Sequence, residues 1–124
     1  KGEYDKAIGY FEKTLALYFK ILGPEHPEVA ITYNQLGLAY FKTGEYDRAV
    51  ECNEKALAIR LKAFDPEHPY VGMSYVNLGS LYAKKGMKGK AMDYLLKAKE
   101  IHLKKHGPQH PETKNVQRWI DSLK

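Results

Sequence analysis

The sequence predicts an all-α superhelix of about six antiparallel helices, and three observations carry that reading. Shifted by 42 residues, positions 2–43 match positions 44–85 at 20 of 42 sites without a gap. A fixed period of this length is the signature of a repeat architecture. Within a unit, Tyr46, Ala49, Val50, Asn53, Ala56, Leu57 and Leu61 recur at three- and four-residue steps, the period of a helix face. Alternating apolar runs closed by hairpin turns, the mark of strands, are absent from the sequence.

The repeat units are 2–43, 44–85 and 86–124, read together as one domain over 1–124. The third copy, from Gly86, is looser and keeps Ala91, Ala98, His110 and Pro111. Helix stops fall at Gly23-Pro24, Gly44, Pro66, Gly86 and Gly107-Pro108, where glycine and proline end helices. The helices they delimit are 3–22, 27–42, 45–64, 69–84, 87–106 and 111–123. In this register 3–22 is the second helix of a repeat whose first helix is missing, and its Leu15, Leu17, Phe19 and Ile21 leave it apolar on more than one side. The chain opens at Lys1 without a methionine and reads as a piece of a longer protein. In 111–123, Val116, Ile120 and Leu123 point inward while Lys114, Asn115, Arg118, Asp121 and Ser122 point outward. A polar outer face is what a repeat array needs at its end.

Composition sets the class. Apolar content of 44% with 28% charge fits a folded chain, and no apolar run approaches the roughly 20 residues of a membrane helix. A single cysteine, Cys52, cannot form an internal disulfide, which fits a reducing, cytoplasmic setting. Net charge is +5 but unevenly spread. From Lys84 onward eleven basic residues face four acidic ones, and before it nine face eleven. A basic third of this kind binds phosphates weakly at most. Lysine outnumbers arginine there and no base-stacking platform is recognisable, so nucleic acid is the remote alternative.

Tyr33-x-x-Leu36-Gly37-x-x-Tyr40 followed by Ala49 and Ala56, and again Tyr75, Leu78, Gly79, Tyr82, Ala91 and Ala98, resembles the tetratricopeptide pattern, with Tyr in place of the usual Trp. The 42-residue period, the long second helix and the "LGPEHP" linker are similar to the kinesin-light-chain type of this repeat. Asn53, where the pattern prefers an aromatic, and Lys88-Gly89, in place of Tyr-Asp, depart from it. The resemblance implies a tetratricopeptide solenoid that acts as a protein-interaction scaffold. It also implies a concave groove lined by the first helix of each repeat. Carried over, the groove residues are Asn34, Gln35, Leu38 and Lys42, then Val76, Asn77, Ser80 and Lys84. Amides bond both a peptide N–H and a peptide C=O, and the lysines attract acids, so an extended acidic peptide is the expected ligand. The competing reading is self-assembly through the uncovered helix 3–22.

The most conspicuous polar motif is repeated: His26-Pro27, His68-Pro69 and His110-Pro111. A shared zinc needs ring nitrogens about 2.0–2.1 Å from one ion, whereas equivalent positions on stacked helices stand roughly 8–10 Å apart. The histidines are instead expected to satisfy unpaired N–H groups at helix starts. His102 and His106 are four apart on one face, a spacing that suits a helical metal site. Gly107-Pro108 interrupts the helix before His110, and the positions equivalent to His106 are Leu22 and Phe64, which favours packing. No nucleophile–base pair, phosphate-cradling loop or HExxH or CxxC motif occurs. The expectation is a scaffold with no enzyme activity, no cofactor and no metal, with Cys52 an inert, partly buried thiol.

Overall fold

In the computed structural model residues 2–124 are described, and Lys1, the first residue of the expected domain, lies outside them. Among the described residues there are six helices: α1 (Gly2–Leu22), α2 (Pro27–Lys42), α3 (Tyr46–Ala63), α4 (Pro69–Lys84), α5 (Lys88–His106) and α6 (Pro111–Ser122). The described residues contain no strand. Every helix end lies within one residue of its sequence expectation.

The His-Pro motifs explain three of the starts. His26, His68 and His110 are the N-caps of α2, α4 and α6, each with extended backbone. Each accepts at Nδ1 from the N–H two residues on, at 3.1 Å from Glu28, 3.0 Å from Tyr70 and 3.1 Å from Glu112. Proline in the first turn has no N–H to lose, so histidine and proline together settle the helix entrance. At the other ends, Gly44 and Gly86 take φ of 83° and 79°, a conformation that only glycine adopts without cost. The α3–α4 turn has Asp65 where the other linkers have glycine. There the Asp65 carboxylate accepts from the Glu67 N–H at 2.8 Å.

The helices group into two compact units, one ending at Ala63 and one spanning Phe64–Lys124. In the first, α2 packs between α1 and α3, and Val29, Ala30, Leu36 and Tyr40 of α2 and Ala49, Val50, Ala56 and Ile59 of α3 are buried. In the second, α5 packs against α4 and α6. Leu95, Ala98, Val116 and Ile120 form its centre, flanked by Tyr75, Val76, Met92, Trp119 and Leu123. Small residues set the close crossing of α4 on α5. A Cβ on Gly79 would lie 2.7 Å from Leu95 Cγ, so leucine fills the space that glycine leaves.

The repeat shows in the details of both units. Glu25 pairs with Lys62, and the equivalent Glu67 pairs with Lys104 at 2.9 Å. The His68 ring lies 4.5 Å from Phe64, and the equivalent His110 ring lies 4.0 Å from His106. His106 is therefore a ring that packs on a capping histidine, the role that Phe64 has one repeat earlier. In α6, Gln117 and Asp121 stand where α2 and α4 have tyrosine and glycine. The two bond each other at 2.9 Å on an exposed side of the helix.

Candidate peptide-binding faces

The expected groove residues sit on α2 in the first unit and on α4 in the second. On α2, Gln35, Leu38 and Lys42 are exposed, Leu38 at 57%. Ile31, 41% exposed, continues the row one turn earlier, giving a stripe at i, i+4, i+7 and i+11. Sequence reasoning missed Ile31. Its signal was the apolar residue at the same place in the next copy, Met73. On α4 the equivalent row is Met73, Asn77, Ser80 and Lys84, of which Lys84 is exposed and the others are half-buried. Ser80 already donates its hydroxyl to the Asn77 carbonyl at 2.9 Å.

Two of the expected residues are engaged elsewhere. Val76 packs on the Leu95–Val116 centre of its unit. Asn34 is half-buried, and its amide is oriented so that its oxygen accepts from both Nη1 and Nη2 of Arg60 at 2.9 Å. Its nitrogen donates to Asn53 Oδ1 at 2.9 Å, and Asn53 Nδ2 donates to the Ala49 carbonyl at 2.8 Å. Arg60 is 5% and Asn53 4% exposed. Asn53, a departure from the repeat pattern, is thus part of an amide–guanidinium network between α2 and α3. The second unit has Val76, Leu95 and His102 at the three corresponding positions.

His102 is fully buried beside the Gly72 backbone. Burial pushes its pKa down, the Glu112 carboxylate 3.9 Å away and the Gly72 backbone pull it up, and His106 and His110 push it down. Among the described residues, no three His, Cys, Asp or Glu side chains converge to hold a metal. His102, His106 and His110 stack in sequence at 5.6 and 4.0 Å, an arrangement of parallel rings. Cys52 is buried, and desolvation pushes its thiol up to about 11, so it stays neutral. No described helix is long and apolar enough to cross a membrane.

Similarity to other proteins agrees with this geometry. A tetratricopeptide repeat family matches residues 1–62 and 29–104. No curated protein sequence matches. Among solved structures, a putative kinesin light chain from Podosopora anserina with nearly identical TPR-like repeats superposes with a TM-score of 0.89 at 28% identity, over 98% of this chain and 58% of that one. BtubC (BKLC) from P. vanneervenii superposes with a TM-score of 0.87 at 24% identity, over 98% of this chain and 48% of that one. The chain thus spans about half the length of the solved structures it matches. Tetratricopeptide repeats mediate protein–protein interaction, and their fold is that of a non-catalytic scaffold. The chain belongs to the tetratricopeptide repeat family.

Proposed function

We propose that this chain holds extended, acidic peptide segments of a partner protein, on the exposed stripe of α2 in the first unit and on that of α4 in the second. The observation that carries the reading is the α2 stripe. Ile31 and Leu38 are apolar yet 41% and 57% exposed, with the amide of Gln35 between them and Lys42 at the end. Apolar contact supplies affinity, the amide meets a peptide group of either polarity, and lysine draws a carboxylate. Asn77, Ser80 and Lys84 supply the corresponding set on α4, and Asn34 contributes by fixing the base of the α2 face. Acidic peptides titrated into the protein test this reading, with Asn77→Ala plus Lys84→Glu as the variant. Binding should weaken with that variant and with added salt. Unchanged binding removes the α4 stripe as a binding face.

A second reading, self-association, is favoured by α1. None of its residues is buried, and Tyr10, Leu17 and Ile21 are 67%, 53% and 66% exposed. The residues equivalent to Tyr10 and Leu17 in α3 are Cys52 and Ile59, each 6% exposed. Light scattering over a concentration series decides it. A dimer that Leu17→Glu dissociates supports self-association, and a monomer at high concentration excludes it.

A further inference from the structure

We infer that the first unit carries a socket for one aromatic side chain of a protein partner, in the cleft that α1, α2 and α3 form over Tyr33 and Tyr40. The cleft holds about 250 Å³ and opens to the surface, with Leu36 and Cys52 beside the two tyrosines and Arg48 and Lys55 at the rim. It lies on the side of α2 away from the Ile31–Lys42 stripe, since 100° per residue sets Tyr33, Leu36 and Tyr40 opposite that row. It does not depend on the peptide-binding reading above.

The repeat itself points to the occupant. Position 52 is the exception in its register, because the equivalent residues are Tyr10 in α1 and Tyr94 in α5. In the second unit, the Tyr94 ring stacks on Tyr82 at 5.7 Å and 5°, and lies 6.0 Å from Tyr75. Lys97 covers both Tyr75 and Tyr94, at 5.6 and 5.9 Å, and Lys90 covers Tyr82 at 5.1 Å. Every part of this arrangement except the central ring is present in the first unit. Tyr33 and Tyr40 replace Tyr75 and Tyr82, Lys55 stands over Tyr33 at 5.7 Å, and Arg48 stands over Tyr40 at 5.6 Å. Cysteine in place of tyrosine leaves the platform and its cations standing without the ring between them.

Size and chemistry agree. A dry cavity of about 150 Å³ accepts benzene, so the cleft has room for a phenyl or phenol ring. Rings at these separations attract beyond simple burial, and a cation over the face adds to the attraction. Cys52 stays a neutral thiol and offers no charge. Glu12 and Glu51 balance Arg48 and Lys55 around the cleft, so the site favours an uncharged ring over an acid. Glu12 also accepts from the Tyr40 hydroxyl at 3.3 Å, fixing that side of the platform. An open mouth leaves room for the backbone that carries the incoming side chain.

Backbone chemical shifts of labelled protein test the proposal against three probes: p-cresol, the blocked tripeptide Gly-Tyr-Gly, and the blocked tripeptide Gly-Leu-Gly. The expected result is saturable shifts confined to 33–40 and 48–55 with both phenol probes, at least tenfold weaker with the leucine peptide. Cys52→Ala should keep binding, whereas Cys52→Tyr should abolish it, because the protein's own ring then fills the space. If Cys52→Tyr does not fold by circular dichroism, Cys52→Leu fills the cleft instead and should weaken binding at least tenfold. Absence of saturable shifts, shifts that survive a filled cleft, or binding of p-cresol without the tyrosine peptide would each overturn the proposal.

Discussion

The guanidinium of Arg60 in α3 donates through both terminal nitrogens to the side-chain oxygen of Asn34 in α2, at 2.9 Å each. This contact changes what Asn34 does. Its amide spends its oxygen on Arg60 and a donor on Asn53, so Asn34 ties the face to its support and the neighbouring stripe is left to meet a ligand. Arg60→Ala leaves the Asn34 oxygen without its donors, an unpaired half-buried group worth about 1–3 kcal/mol. Urea denaturation should show a loss of that size. Because the residues share one network, the Asn34→Ala and Arg60→Ala losses should sum to more than the double variant loses.

The capping histidines give a second prediction. Replacing His26 or His110 by alanine removes a side-chain acceptor from a helix start, at a cost of about 0.5–2 kcal/mol. Asparagine at the same place should recover most of it, since it is a preferred cap. Lost stability in the alanine variants that asparagine does not restore would mean that the histidine rings matter for packing and not for the N–H they accept from.

Acid should destabilise the second unit through His102. Burial holds its pKa below the ordinary 6.5, with Glu112 opposing. Below pH 6.5 the unfolded chain therefore takes up a proton that the folded chain refuses, and stability falls as pH drops towards the folded value. Below the folded value the loss is complete and the curve flattens. Thermal melts across this range should show the fall, His102→Leu should reduce it, and Glu112→Gln should deepen it. An unchanged pH profile in His102→Leu would assign the titration to another group.

Much of the fold was legible because repetition exposes itself. The 42-residue shift fixed the register, and Gly44, Gly86 and the three His-Pro pairs marked helix ends to within a residue. The capping role of His26, His68 and His110 was legible too, because proline constrains the backbone on either side and leaves one donor to satisfy. The candidate faces were less legible. Asn34 matches a groove position by register, but its engagement depends on Arg60, 26 residues away, and on Asn53, whose departure from the pattern had no visible cause in sequence. Ile31 was passed over because an apolar residue next to buried Ala30 and Thr32 looks like core until the helix is turned. Cys52, expected to be partly buried, is buried. What its small size leaves open next to Tyr33 and Tyr40 follows only from placing Tyr94 in the equivalent position.

The central claim is that the α2 stripe binds a partner's acidic segment. A displayed library of random peptides, selected on the protein and titrated against it and against Leu38→Ala plus Lys42→Glu, tests this most directly. Acidic sequences with an apolar residue should be enriched. Binding to the double variant should be at least tenfold weaker, about 1.4 kcal/mol, and should fall further as salt rises. Selected peptides that bind wild type and variant equally, or a selection without acidic enrichment, would contradict it.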